Sequence, residues 1–369
     1  MEKAYISLGS NEGQKLKNLQ EAVLQIQKEV GILTDLSSIY ETTSWGFEGP
    51  DFLNACIGVK TDFSPSELLQ KLLKIEQQMG RLRTIDSGYS SRNIDLDLLF
   101  FEDQVIENDD LILPHPRLEL RNFILHPMCE IATDFVHPKL NKDMTHLLNA
   151  CEDTSHPAQL PLSQWSLDLF FENQLLVFEG NIGVGKTSLA QKIARDFEVP
   201  SLLENFSENP YLEKFYDQPD RFALSLENYF LENRFCQFDN FFKTSAIQKM
   251  TVADHSFSKS LVFAKINLSH RNFQDFRSNY DRLSAQLVFK QKVIFLHKST
   301  EKLMEQIKRR GRTFEKKITR DYLEKIEEGY ENYRKERWSI PYHSIDLTDL
   351  DFINDERSYQ ILLQRIIAF

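Results

Sequence analysis

Residues Gly180-Asn181-Ile182-Gly183-Val184-Gly185-Lys186-Thr187 fit the pattern G-x-x-x-x-G-K-T, whose chemistry is polyphosphate binding. The glycines allow tight turns that point backbone N–H groups at phosphate oxygens. Lys186 adds a point charge on the outer phosphates, and Thr187 offers a hydroxyl to Mg²⁺. Glu204 and Asp254 each follow a short apolar run. At the carboxyl end of a parallel strand a carboxylate faces the ligand crevice. There Glu204 takes the proton of an acceptor hydroxyl, and Asp254 binds Mg²⁺ directly or through water. Spacing alone equally allows Glu204 as a solvated residue at a helix start. The basic run Lys308-Arg309-Arg310-Gly311-Arg312 reads as an arginine lid over phosphates or as a solvated turn.

A second set lies far upstream. In Arg92-Asn93-Ile94-Asp95-Leu96-Asp97-Leu98, strand alternation puts Asp95 and Asp97 on one face and the aliphatic residues on the other. Two like charges roughly 6 to 7 Å apart repel. A divalent cation on a polyphosphate relieves that repulsion, and a solvated strand face is the alternative. Arg81, Arg83 and Arg92 precede or begin this run, and His115 and Arg121 follow it. Guanidinium forks suit triphosphate oxygens.

Elements must hold these groups. Ala4 to Leu8 reads as a strand, Leu16 to Val30 as an amphipathic helix, and the stretch from Arg92 to Phe100 as a strand, an α+β opening. In the back half, Leu175 to Phe178 is a buried strand, the phosphate loop follows, and Ser188 to Phe197 has helical spacing. Val199 to Leu203, Met250 to Asp254 and Val293 to His297 read as further strands.

The chain of 369 residues is long enough for two cores, and Pro157 and Pro161 interrupt periodicity between Cys151 and Asn173. The expected division is a domain at 1–155, a linker at 156–172 and a domain at 173–369. A net charge of −11 argues against an extended basic face for nucleic acid. Four scattered cysteines and no apolar span predict a reducing, cytoplasmic setting with no membrane partner.

The front half resembles 6-hydroxymethyl-7,8-dihydropterin pyrophosphokinase, a folate-pathway enzyme family. The resemblance rests on Ala4 to Asn11, Phe52-Leu53-Asn54-Ala55, Ile75 to Arg83, Arg92 to Leu98, and Pro114-His115 with Arg121-Asn122-Phe123. It implies a ferredoxin-like α+β fold, with Asp95 and Asp97 holding two Mg²⁺ ions. Arg81, Arg83, Arg92, His115 and Arg121 would surround ATP, with Glu76 in the nucleotide contact shell. Thr42, Phe52, Asn54 and Phe123 would hold the pterin. The ring of Phe123 would stack on it and the Asn54 amide would read its polar edge, although both residues also suit plain core packing. Phe52 stands where the family often has Tyr, and Thr43-Ser44-Trp45-Gly46 replaces a commoner proline-bearing loop.

The segment from Leu175 to Phe369 resembles the deoxynucleoside kinases. The matching residues are the phosphate loop, Glu204-Asn205, Asn209 to Tyr216, Leu226 to Arg234, Ala253-Asp254, and Arg310-Gly311-Arg312 with Glu315. The resemblance implies a doubly wound parallel sheet, Glu204 as base, Asp254 near Mg²⁺, Arg310 and Arg312 as lid residues, and Arg234 near the nucleobase. A homodimer through this half is also implied. Three positions depart from the pattern. His255 replaces an arginine, either standing in for it when protonated or simply packing. Glu227 replaces a base-pairing Gln, and Ser260 an Asp. An ionised Glu227 only accepts hydrogen bonds, which favours guanine.

Together these features predict a bifunctional MgATP-dependent enzyme acting on a dihydropterin alcohol and on a deoxynucleoside 5′-hydroxyl. The alternatives for the back half are a nucleotide-binding regulatory or dimerisation module and a nucleoside monophosphate kinase.

Overall fold

The computed structural model describes residues 1–44, 49–81, 91–166, 171, 174–244, 250–337 and 342–367. The chain divides into two compact units, Met1–Phe170 with Leu363–Phe369, and Phe171–Leu362.

The first unit opens with β1 (Glu2–Ser10), α1 (Lys15–Glu29), β2 (Ile32–Leu36), β3 (Tyr40–Thr42) and β4 (Phe52–Thr61). There follow α2 (Pro65–Gln78), β5 (Asp95–Phe101), β6 (Ile106–Glu107), β7 (Ile112–Leu113), α3 (Asn122–Ile131), α4 (Met144–Ala150) and β8 (Ala158–Gln159). Local chemistry sets the start of α2. The Ser64 hydroxyl accepts from the Glu67 N–H, the Glu67 carboxylate accepts in return, and Pro65 begins the helix. The sheet order is β5-β1-β4-β3-β8, with β2 also on β4. β1 lies between antiparallel partners and is buried along most of its length, as a central strand must be. Its register places Gly9 opposite Asp95 and Ser7 opposite Asp97. The apolar core includes Tyr5, Phe100, Leu118, Ile124, Leu125 and Met128.

Part of the segment expected as a linker, 156–172, is built into this unit. β8 pairs with β3, and the fully buried Trp165 donates through Nε1 to the Ser37 carbonyl at 2.9 Å. Prolines that break helical periodicity are compatible with a short edge strand and a turn, which explains the difference.

The second unit runs β9 (Leu175–Gly180), α5 (Lys186–Asp196), β10 (Ser201–Leu202), α6 (Leu212–Asp217), α7 (Pro219–Thr244), β11 (Thr251–Ala253) and α8 (Lys259–Asn267). It continues with α9 (His270–Ser284), β12 (Gln291–His297), α10 (Thr300–Arg310), α11 (Arg320–Arg337), β13 (Tyr342–Asp346) and α12 (Glu356–Ile367). Strands β10-β11-β9-β12-β13 form a sheet whose pairs are all parallel, winding outward in both directions from β9. The apolar run expected as a strand from Val199 to Leu203 contributes only two residues, because β10 is an edge strand beside the short β11. Buried residues of the sheet and of α7, α8, α9 and α11, among them Val177, Leu231, Phe238, Leu261, Phe276 and Ile326, make one core.

Candidate active sites

In the first unit a cavity of about 280 Å³ gathers residues from several elements. β1 supplies Ser7 and Gly9, β3 Thr42, β4 Phe52 and Asn54, and β5 Asp95 and Asp97. The loops and the start of α3 add Arg81, Arg92, His115, Arg117, Arg121 and Phe123. Alternation along β5 leaves both aspartates half-buried beside the cavity and sinks Leu96 and Leu98. Arg83 lies outside the described residues.

The carboxylates are not equivalent. Asp95 is ion-paired with Arg81 and, at 2.9 Å, with Arg92. Among the described residues, Asp97 is paired with the His115 imidazole, at 3.7 Å. Burial and the Asp95 charge push its carboxyl up to about 7, against the pull of Arg121 and Arg92. Glu76 does not line the cavity. Buried beneath it, Glu76 accepts from the Leu96 N–H at 2.8 Å and pairs with Arg81, so it fixes β5 and the guanidinium together. Burial and the Arg121 charge lower His115 to about 4, which makes it a neutral hydrogen-bonding group at neutral pH.

On the opposite wall the Asn54 amide donates to the Thr42 hydroxyl at 2.7 Å. Guanidinium groups lie over two rings, Arg92 over Phe52 at 5.6 Å and Arg121 over Phe123 at 5.7 Å. Gly9 allows a close approach, since a Cβ there would stand 3.0 Å from Asn54 Oδ1. Ser7, Gly9 and Arg117 were absent from the residues singled out in sequence. The first two were legible as the β1 alternation facing the aspartates, once the register was known.

The second unit holds a cavity of about 130 Å³ above the carboxyl ends of β9, β10 and β11. Two helices present stripes to it at helical spacing, Glu227, Phe230 and Arg234 on α7, and Lys259, Phe263 and Asn267 on α8. Ile182, Gly183, Lys186 and Thr187 of the loop line it, whereas Gly180, Asn181, Val184 and Gly185 shape the loop from outside. Gly180 has φ 137°, and a Cβ there would strike the Leu296 carbonyl of β12. Lys186 Nζ donates to the Gly180 and Asn181 carbonyls at 2.8 Å each. Burial and the Lys259 charge push this ammonium down to about 8.

The Thr187 hydroxyl donates to Asp254 Oδ2 at 2.5 Å, and the Glu204 N–H donates to Asp254 Oδ1 at 2.7 Å. Glu204 sits between two cations, with Arg234 Nη2 at 2.6 Å from Oε1 and Lys259 Nζ at 2.6 Å from Oε2. Burial opposes ionisation, yet these two charges hold the Glu204 carboxyl well below the usual carboxylate range. Arg234 also donates to the Ser260 hydroxyl at 2.7 Å. Arg310 and Arg312 both pair with the buried Glu315, at 2.5 and 3.2 Å.

His255 turns away from this cavity. Fully buried, it stands edge-on to Phe238 with ring centroids 5.3 Å apart, and its Nδ1 lies 3.1 Å from Asp254 Oδ1. Glu227 is buried too. Asn267 donates to its Oε1 at 2.7 Å, while Oε2 has no partner among the described residues. Burial pushes this carboxyl up to about 7. Lys259, Asn267 and Tyr322 were missed in sequence, and the i, i+4, i+8 spacing on α8 was the signal for the first two.

Among the described residues no three His, Cys, Asp or Glu side chains are grouped to hold a metal. The pairs Asp95/Asp97 and Thr187/Asp254 offer hard oxygen donors but too few to enclose an ion. That fits Mg²⁺, which completes its shell with phosphate oxygens and water. Among the described residues no helix is long and apolar enough to cross a membrane.

A family model described as 7,8-dihydro-6-hydroxymethylpterin-pyrophosphokinase matches residues 5–133, and one described as deoxynucleoside kinase matches residues 176–369. The 2-amino-4-hydroxy-6-hydroxymethyldihydropteridine pyrophosphokinase of Synechocystis is 39% identical over 153 residues, 41% of this chain and 77% of that protein. The same-named protein of Aquifex aeolicus is 37% identical over 145 residues, 39% of this chain and 89% of that one. Among solved structures, a deoxyadenosine kinase from M. mycoides aligns at 24% identity and a TM-score of 0.45, over 52% of this chain and 96% of its own. The chain therefore belongs to two families, the dihydropterin pyrophosphokinases through its first unit and the deoxynucleoside kinases through its second.

Proposed function

We propose that the chain is a bifunctional MgATP-dependent transferase, with two sites that break different bonds of ATP. The observation that carries this reading is the presence of two separate cavities. Each joins phosphate-binding cations to oxygen donors for Mg²⁺ and to a pocket for a flat ring.

In the first site the hydroxymethyl oxygen of 6-hydroxymethyl-7,8-dihydropterin attacks the β-phosphorus, the bond to the α,β-bridging oxygen breaks, and AMP leaves. Mg²⁺ held by Asp95 and Asp97 would supply charge neutralisation on the triphosphate. Arg81, Arg92 and Arg121 hold phosphate oxygens, neutral His115 donates a hydrogen bond, and Glu76 keeps Arg81 aimed. Phe123 stacks on the pterin, Asn54 and Thr42 read its polar edge, and Phe52 closes the wall. No protein nucleophile is required, so catalysis is alignment and electrostatics. Antiparallel order β5-β1-β4-β2, with α1 joining β1 to β2 and α2 joining β4 to β5, supports a ferredoxin-like fold for this unit.

In the second site Lys186 and the loop N–H groups hold the outer phosphates, and Thr187 and Asp254 would hold Mg²⁺. Glu204 takes the proton of a deoxynucleoside 5′-hydroxyl, and Arg310 and Arg312 leave Glu315 to close on the phosphates. The nucleoside base lies between the α7 and α8 stripes, where Glu227 Oε2 is open to hydrogen bonding and Arg234 fixes the base-side wall. Ionised, Glu227 suits guanine.

Reciprocal variants test the reading. Asp95→Ala with Asp97→Ala should cut pterin-dependent AMP formation about a thousandfold, the size of several kcal/mol of transition-state stabilisation, and spare nucleoside-dependent ADP formation. Lys186→Ala should do the reverse. Loss of both activities in either folded variant would contradict two independent sites.

A further inference from the structure

Transfer of a phosphoryl group to a hydroxyl needs positive charge on the acceptor side as well as on the donor phosphates. In the second unit Lys186, Arg310 and Arg312 serve the donor phosphates in the reading above, and Arg234 and Lys259 both reach the acceptor carboxylate Glu204. Lys186 is tied to the loop carbonyls, Arg310 and Arg312 to Glu315, and Arg234 is buried against Glu204 and Ser260. Residue 255 adds none, because its imidazole is sunk against Phe238.

Position 259 supplies what position 255 does not. The Ser256 hydroxyl accepts from the Lys259 N–H at 3.2 Å, and Ser256 is itself pinned by N–H and hydroxyl bonds to buried Glu179, at 2.7 and 2.5 Å. This network fixes the first turn of α8, so that the Lys259 side chain crosses the cavity wall to Glu204. Its aliphatic stem runs past Phe263, with Nζ 5.6 Å from the ring centroid. Its ammonium is 2.6 Å from the acceptor carboxylate of Glu204 and lines the same cavity as Lys186 and Thr187 of the phosphate loop.

We propose that Lys259 is the acceptor-side cation of the second site, holding Glu204 in place and meeting the transferred phosphoryl group at the mouth of the loop. The inference rests on the nucleoside kinase reading above. In the step it serves, the 5′-oxygen bonds to the γ-phosphorus and the bond to the β,γ-bridging oxygen breaks. ADP takes the electron pair, and Glu204 receives the hydroxyl proton.

Steady-state kinetics on the full chain test it, with wild type measured first against each deoxynucleoside and MgATP. Lys259→Met should lower kcat about a hundredfold, the usual cost of one preorganised charge donor, with KM for nucleoside and ATP within a few-fold. Lys259→Arg should recover kcat to within about tenfold of wild type. Lys259→Gln serves as the neutral variant if the methionine chain does not fold. A neutral variant within threefold of wild-type kcat would overturn the inference alone. So would an effect confined to KM, or a failure of Lys259→Arg to improve on the neutral variants. A wild-type protein that makes no nucleoside-dependent ADP, yet binds MgATP, would overturn the nucleoside kinase reading and this inference with it.

Discussion

Two carboxyls raised to about 7, the half-buried Asp97 and the buried Glu227, sit in the two cavities for different physical reasons. Asp97 is pushed up by burial and by a like charge two positions away, a repulsion that a cation relieves. Glu227 is pushed up by burial, with one oxygen satisfied by Asn267 and the other open. Below about pH 7 Glu227 is neutral and both donates and accepts; above it, the ionised group only accepts. The N1–H and N2–H donors of guanine suit the ionised form, and the donor and acceptor edge of adenine suits the neutral one. The ratio of kcat/KM for deoxyguanosine to that for deoxyadenosine should therefore rise, by up to about tenfold, between pH 6 and 8. Glu227→Gln should flatten that profile and favour deoxyadenosine. A ratio independent of pH in the native chain would remove Glu227 from base reading. Stability moves the opposite way with pH. A carboxyl whose folded pKa is raised stabilises the fold below its ordinary range and loses that contribution as pH rises through about 7.

Strands and helices turn these residues into sites through register. Gly9 faces Asp95 across one strand pair and Asn54 across the other, so a single methyl group there acts on the pocket wall. Gly9→Ala should displace the Asn54 amide by a few tenths of an ångström and raise KM for the pterin about tenfold, leaving KM for ATP near native. Unchanged pterin KM in that variant would show that Asn54 does not read the ring. The β5 alternation was legible in sequence because Asp95 and Asp97 interrupt an aliphatic run at period two, and the β9-loop-α5 unit because glycine, lysine and threonine spacing is itself the geometry. Other features depend on tertiary placement. His255 was readable as a departure, but its burial beneath Phe238 is set by α7. Lys259 had only its helical spacing with Phe263 and Asn267 as a mark, and its pairing depends on the end of β10 bringing Glu204 and α7 bringing Arg234 to the same place. Trp165 and β8 looked like linker because a two-residue edge strand has no period to detect.

At the scale of the whole chain, two units carry two family memberships and two cavities whose proposed phosphate sites are built on different principles. The antiparallel unit presents aspartates from the edge strand β5 to a cavity rimmed with arginines. In the parallel unit the proposed site is a glycine loop at a helix start, where backbone N–H groups would do much of the phosphate binding. The bond cleaved tells the two apart, since pyrophosphoryl transfer releases AMP and phosphoryl transfer releases ADP. The most direct test incubates the purified chain with MgATP and, in separate reactions, 6-hydroxymethyl-7,8-dihydropterin or each deoxynucleoside, and separates AMP from ADP by chromatography. Pterin-dependent AMP together with nucleoside-dependent ADP is the predicted result. AMP alone, with no ADP above background for any deoxynucleoside, would contradict the account and leave the second unit a nucleotide-binding module without turnover.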